Sequence, residues 1–303
     1  MDRKGFILAL GAYILWGLFP IYWKWLSHIH PLQVVGHRIV WSFLLLLGIL
    51  LISRQFTVLR QAAFNWRTFC SYAASAILIG SNWLVYVWAV NSNFIVEASL
   101  GYFINPLISV LLGVIFLREH LRSLQWILLL LAGSGVIYLS VVYGRLPWIA
   151  LFLAISFSVY GLIKKVSPLG SLFGLTYETG ILFAPAFFYL LYLNISTEDV
   201  PGQENLSTCL LLIGAGMITS ITLLMFSSAA RKLPLALLGI MEYIAPSLAF
   251  LLGVLVYKEP FDQVRLFGFG IVWVALILFT LEGLLARRPH PRATFPRRLR
   301  RQI

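Results

Sequence analysis

The sequence predicts an all-α polytopic membrane protein, with ten transmembrane helices arranged as two inverted five-helix repeats. Three observations carry that expectation. Of 303 residues, 60% are hydrophobic and only 11% are charged, with a mean hydropathy of +0.89. Soluble domains carry roughly 25% charged residues, and so few charges cannot cover a water-facing surface of this size. Second, stretches of about 20 apolar residues, the length that spans a bilayer, follow one another along the chain. Third, a motif at the end of one such stretch recurs near the end of a later one.

The stretches lie near 5–26, 32–52, 68–90, 94–117, 123–142, 147–163, 171–193, 207–229, 235–257 and 263–284. Only helices or closed barrels satisfy their backbone in lipid, and runs this long and continuously apolar are helices. Phe6–Leu26 is longer than the apolar region of a signal peptide and lacks a small-x-small cleavage site, so it reads as the first span. With the N-terminus cytoplasmic, Arg3, Lys4, Arg54, Arg60, Arg67, Arg118, Arg122, Lys164, Lys165, Arg231 and Lys232 fall inside, as do the arginines of residues 287–303. The external loop Asn194–Leu206 holds Glu198, Asp199 and Glu204 but no Lys or Arg. This bias places both termini in the cytoplasm.

Pro106-Leu-Ile-Ser-Val-Leu-Leu-Gly-Val-Ile-Phe-Leu-Arg-Glu119 resembles Pro246-Ser-Leu-Ala-Phe-Leu-Leu-Gly-Val-Leu-Val-Tyr-Lys-Glu259. The match closes spans four and nine, so each half holds five helices, and an odd number inverts the second half. The expected division is 1–142, 143–286 and a basic cytoplasmic tail, 287–303. Inverted repeats of this kind are typical of secondary transporters with a substrate site near the midplane. The expected function is therefore secondary active export or permeation of a small molecule by alternating access. A non-transporting receptor or scaffold is the alternative. Spans five and ten are candidates for a homodimer contact.

Other classes fit poorly. The net charge of +12 points toward phosphate in a soluble protein, but many of the cations crowd the tail, so no nucleic-acid partner is expected. Cys70 and Cys209 lie apart in apolar runs and indicate neither a disulfide framework nor zinc. No Gly-Lys dipeptide occurs, which excludes a Walker A motif. Ala132-Gly-Ser-Gly135 has no membrane-embedded histidine after it to activate Ser134. His28 and His30 have no further ligands nearby. No catalytic residue, metal or cofactor is expected, and the chain is not read as an enzyme.

Ionisable groups in hydrocarbon are costly and therefore functional candidates. Arg38 lies about 9 Å into span two at 1.5 Å per residue, beside His37. Lys24 ends span one and Glu97 begins span four, so Glu97 is expected to neutralise Lys24 or Arg38 in an outer vestibule. The plain alternative is that Lys24 snorkels to the headgroups and Glu97 opens a helix. Asn82 and Tyr86 share one helical face, as do Glu97 and Asn105. Arg38, Asn82, Tyr86 and Asn105 are the expected pocket lining, with His37, Tyr102, Trp16 and Lys24 around them. Glu178 and Glu242 enter from the cytoplasmic side as candidates for coupling, or as structural hydrogen-bond partners. Pro106 and Pro246 are expected to kink their helices beside the cavity. Gly133, Gly135 and Gly170-x-x-x-Gly174 are expected to allow close helix contact.

The chain also resembles the RarD branch of the EamA families, in the drug/metabolite transporter superfamily, over nearly its whole length. The resemblance rests on Trp16-Gly-x-x-Pro20 with Tyr22 and Lys24, His37-Arg38-x-x-Trp41-Ser42, Asn82-Trp83, and Glu97-Ala-Ser-Leu-Gly-Tyr-Phe-Ile-Asn-Pro106. Arg231-Lys-Leu-Pro234 and Tyr243-Ile-Ala-Pro246 complete it. It implies ten helices in inverted halves, in the bacterial inner membrane, moving small molecules. This chain has Glu242 where relatives commonly carry Gln, so no shared coupling role at that position is carried over.

Overall fold

With no water in the bilayer core to receive peptide groups, an apolar chain closes its hydrogen bonds within helices. The computed structural model describes residues 2–54, 65–91, 95–142, 148–196, 205–256 and 263–285, and every regular element among them is helical. In order they are α1 (Arg3–Trp25), α2 (Pro31–Ile52), α3 (Trp66–Asn91), α4 (Ile95–Leu117), α5 (Ser123–Val142) and α6 (Trp148–Val166). Then come α7 (Ser171–Ser196), α8 (Leu206–Ala230), α9 (Leu235–Glu242), α10 (Ile244–Leu251) with a π-helical turn at Leu252–Val256, and α11 (Gln263–Leu285).

Among the described residues, six helices are long and apolar enough to cross a membrane: α1, α2, α3, α6, α7 and α8. Shorter apolar stretches, Gly101–Leu117, Ser123–Tyr138 and Leu235–Ala249, lie in α4, α5 and the α9–α10 rod. Large apolar side chains such as Ile77, Ile115, Leu130, Ile137 and Phe188 stand exposed on the outside. Apolar surface on that scale suits lipid.

Local chemistry sets the ends. Asp2 caps α1 by accepting from the Gly5 amide at 2.8 Å, a bond that holds its carboxyl below the usual range. Pro31 opens α2, where its missing N–H is no loss. Asn205 caps α8 by accepting from the Ser207 amide.

The ninth expected span is broken rather than continuous: α9 stops at Glu242 and α10 starts at Ile244. Pro246 has no N–H, and its ring collides with the carbonyl four residues back, that of Glu242. Helix α4, by contrast, runs through Pro106 without interruption. There α4 is clamped by its neighbours. Ser158 Oγ donates to the Asn105 carbonyl at 3.0 Å, and Tyr243 Oη donates to the Phe103 carbonyl, also at 3.0 Å.

Helix α4 packs on α6 and α9, and α1 packs on α8 and α10. Helix α3 packs on α6 and α7, α2 on α7 and α8, while α5 pairs with α11. Glycines permit the tightest crossings. A Cβ on Gly216 would lie 2.4 Å from Trp41 Cβ, and one on Gly239 would lie 2.9 Å from the Pro106 carbonyl oxygen. Gly174 likewise receives Tyr72, within 2.7 Å of such a Cβ. At Gly133 no described residue lies within 4 Å of the would-be Cβ, in contrast to the close contact expected there. A Cβ on Gly5 would lie 2.8 Å from Lys232 Cβ, so α9 begins at the face that carries the N-terminus.

The start of α9 has no cap of its own, Pro234 having no side-chain donor or acceptor. Its orphan amides are met from 116 residues away. Glu119 Oε1 accepts from Leu235 N at 2.6 Å and Oε2 accepts from Ala236 N at 2.8 Å. Lys165 Nζ stands 3.8 Å from the same carboxylate. An anion at a helix N-terminus also opposes the positive end of the dipole. Removing it in Glu119→Ala is expected to destabilise the protein by about 2 kcal/mol, the scale of hydrogen bonds to a charged group. Thermal unfolding of the purified protein measures this, and an unchanged Tm would mean that water caps α9 equally well.

Candidate functional site

Where α9 breaks, the helices part around a cavity of ≈ 190 Å³. Helix α1 turns Trp16, Phe19, Pro20 and Trp23 toward it at three- and four-residue steps. Arg38 enters from α2, Asn82, Trp83 and Tyr86 from α3, and Tyr102 and Asn105 from α4. Phe157 of α6 and Thr219 of α8 face them, and Glu242 and Pro246 close the side formed by the broken rod. Toward the face carrying the N-terminus, buried Tyr13, Leu46, Tyr160, Phe226, Leu233 and Leu235 fill the interior.

Arg38 is held on three sides. Its Nε donates to Thr219 Oγ1 at 3.0 Å. Its guanidinium carbon lies 4.8 Å from the Trp23 ring centre and 4.6 Å from that of Trp83. The two indole faces stabilise the cation through their π-electron density while fixing its plane. Among the described residues no carboxylate lies within ion-pair distance of it.

The two asparagines line the cavity as expected and also bond to neighbouring helices. Asn82 gives its amide hydrogens to α6, donating to the Leu153 carbonyl at 2.9 Å and to Ser156 Oγ at 2.8 Å. Asn105 donates to Glu242 Oε1 at 2.8 Å, and its Oδ1 accepts from Ser158 Oγ. Their donors therefore tie helices together and orient Glu242 instead of reaching into open space. Tyr86 and Tyr102 meet edge to face, with centroids 5.7 Å apart.

Of the residues singled out in the sequence, Arg38, Asn82, Tyr86, Tyr102, Asn105, Trp16, Glu242 and Pro246 meet in this cavity. His37, Lys24, Pro106 and Glu178 are not among its lining residues. The Nδ1 of His37, on α2, is buried with no hydrogen-bond partner among the described residues. The side chain of Glu97, and with it the expected pairing to Lys24 or Arg38, lies outside the described residues. Glu178 sits nearer the N-terminal face, 2.6 Å from Lys164 Nζ, with both side chains almost fully buried. Sequence reasoning had placed Lys164 with the loop charges. Thr219 was also missed, although Thr219-Ser-x-Thr222 is a polar run within an apolar span and signals an inward face.

An apolar-coated helical bundle enclosing a charged, aromatic-walled cavity is the build of a multi-pass membrane transporter. The EamA-like transporter family matches residues 3–141. An uncharacterized transporter of Bacillus subtilis, YojE, is 45% identical over 94% of this chain and 96% of its own length. Protein RarD of Escherichia coli is 41% identical over 94% of this chain and 97% of its own. A chloramphenicol-sensitive protein RarD of Pseudomonas aeruginosa is 31% identical over 92% of this chain and 94% of its own. A crystal structure of a protein 20% identical in sequence superposes with a TM-score of 0.70, covering 95% of this chain and 100% of that one, and so shares the fold. The chain belongs to the EamA-like transporter family, with the RarD-type proteins, in the drug/metabolite transporter superfamily. It is a membrane transporter and not an enzyme.

Proposed function

We propose that the protein is a secondary active transporter that moves a small metabolite or drug by alternating access of two inverted halves, 1–142 and 143–286. Ten rods cross the inner membrane of a bacterium, with α9 and α10 counted as one and both termini in the cytoplasm. The observation that carries the reading is Arg38, a cation held between two indoles in a central cavity without a carboxylate partner among the described residues. A charge kept at such a depth is costly unless it serves a ligand or ion path.

The packing supports the halves. If α1 corresponds to α6, α2 to α7, α3 to α8, α4 to the α9–α10 rod and α5 to α11, each principal helix pair maps onto another or onto itself. The α4–α6 pair exchanges with that of α1 and the α9–α10 rod, α3–α6 exchanges with α1–α8, and α3–α7 with α2–α8. The family match over 3–141 also ends where the first half is placed. Substrate enters a cavity whose N-terminal side is filled, and rocking of the halves would open that side in turn.

Inside-out vesicles enriched in the protein are expected to accumulate at least one compound from a mixed load of metabolites and drugs, chloramphenicol included, beyond vesicles lacking it. Mass spectrometry of the vesicle contents reads this directly. Cysteines placed at the two termini should both label from the cytoplasmic side. An absence of flux for every compound, or labelling from opposite sides, would overturn the proposal.

A further inference from the structure

At the end of the bundle that carries the N-terminus, a second pocket opens where the loop between α6 and α7 meets the end of α8. Its volume is ≈ 10 Å³, and Lys164, Arg231, Ser227, Tyr72, Gly170 and Ser171 are among the residues that line it. None of these lines the central cavity. The loop is pinned in place. Tyr72 Oη accepts from the Leu169 amide at 3.1 Å, and Arg231 Nη1 donates to the Ser167 and Leu169 carbonyls at 2.8 and 2.5 Å.

Three features of this pocket call for an anionic oxygen. Helix α7 is 26 residues long and opens after Gly170, which has no side chain to accept from its first amides. A helix start of that kind presents free N–H groups and the positive end of the dipole. Ser227 is only 1% exposed, and its Oγ has no hydrogen-bond partner among the described residues. Folded proteins seldom leave such a group unmet. Finally, two cations meet here, while no Asp or Glu is among the lining residues. Glu178 pairs with Lys164 at 2.6 Å from outside the pocket, so positive charge remains in excess. With Nη1 committed to the loop, Arg231 keeps Nε and Nη2 to give.

Size and position narrow the ligand. The space admits about one water-sized group, so a single oxygen enters while the rest of its molecule stays outside. Helix α6 ends at Val166, α7 begins at Ser171 and α8 ends at Ala230, which puts the pocket at the level of helix ends, where bilayer headgroups lie. Lys165 and Lys232, next in the chain to the two lining cations, draw anions to the same face. We infer that the pocket is a phosphate site. One phosphate oxygen seats on the start of α7 and accepts from Ser227 Oγ, and the Arg231 guanidinium grips the group from the rim. A lipid headgroup and free inorganic phosphate share that chemistry.

The test uses the purified full chain in a maltoside detergent, which carries no phosphate, and reads the rise in Tm on adding ligand. Inorganic phosphate is titrated against sodium chloride at equal ionic strength, and phosphatidylglycerol against a neutral glycolipid. At least one of the two phosphate probes is expected to raise Tm beyond its control. Arg231→Gln and Ser227→Ala should each raise the half-saturating concentration about tenfold, the worth of one hydrogen bond to a charged group. Arg231→Gln also frees the loop. Ser227→Ala removes only an unpartnered buried hydroxyl, so it decides the matter should the first variant fail to fold. A response to phosphatidylglycerol alone assigns the site to headgroups, and a response to inorganic phosphate, alone or as well, opens it to solution; both support the inference. A response to neither probe beyond its control, or one undiminished in Ser227→Ala, would overturn it.

Discussion

Vesicles carrying Arg38→Gln are expected to move the transported compound about a hundredfold more slowly than the unaltered protein. The expectation comes from the price of an unmatched charge: truncating one member of a buried charge pair costs about 2–5 kcal/mol, and every 1.4 kcal/mol is about tenfold. Stability should respond far less. The substitution removes two cation–π contacts of about 0.5–2 kcal/mol each and the bond to Thr219. It also relieves the desolvation of a buried cation, which acts in the opposite direction. Arg38→Lys separates charge from shape, because an ammonium keeps the charge but loses the planar fork that stacks between indoles. An intermediate rate is expected for it. Flux in vesicles and Tm of the purified variants decide the matter. If Arg38→Gln transports normally, the cation is a packing element and the ligand's anion is bound elsewhere.

The second large effect is on stability and lies away from the cavity. Lys164 and Glu178 form an ion pair at 2.6 Å with relative exposures of 3% and 1%. The Lys164 ammonium also sits 5.4 Å from the Tyr160 ring centre and 5.8 Å from that of Tyr72. Tyr160 Oη lies 3.5 Å from Glu178 Oε2. Removing either partner strands the other charge in the bundle, and Lys164→Met or Glu178→Leu should each destabilise the protein by about 3–5 kcal/mol. The double variant should recover most of that loss, since a buried pair replaced by apolar groups is often neutral. Thermal unfolding of the two singles and the double gives the coupling energy. Additive losses would show that the pair acts as two separate polar groups rather than one neutral unit.

The same pair marks where sequence reading stops. Arg38 stood out because it lies well inside an apolar run, and its place in the cavity could be anticipated from that. Lys164 lies beside Lys165 at the end of an apolar run and reads as a loop charge. Only its tertiary contacts, with Glu178 of α7 and the rings of Tyr72 and Tyr160, turn it inward. Asn82 and Asn105 were legible as polar residues facing other helices, but not the direction of their amides. Those donate to α6 and to Glu242, as the rotation and separation of neighbouring helices dictate. Proline position alone was also insufficient. Pro246 breaks its helix, while Pro106, at the matching place in the recurring sequence motif, lies in a continuous helix held between α6 and α9.

Membrane residence, helical character and the approximate limits of most of the helices followed from the amino-acid sequence by itself. Hydropathy adds residue by residue, and the backbone bonds of a helix close within a few residues, so neither depends on distant parts of the chain. Glu119 reaching across 116 residues to cap α9, and Arg38 and Glu242 facing one cavity unpaired, were decided only by the tertiary structure. Such meetings depend on how far each helix turns about its axis and how closely glycines let it approach its neighbours, and those are properties of the assembled bundle.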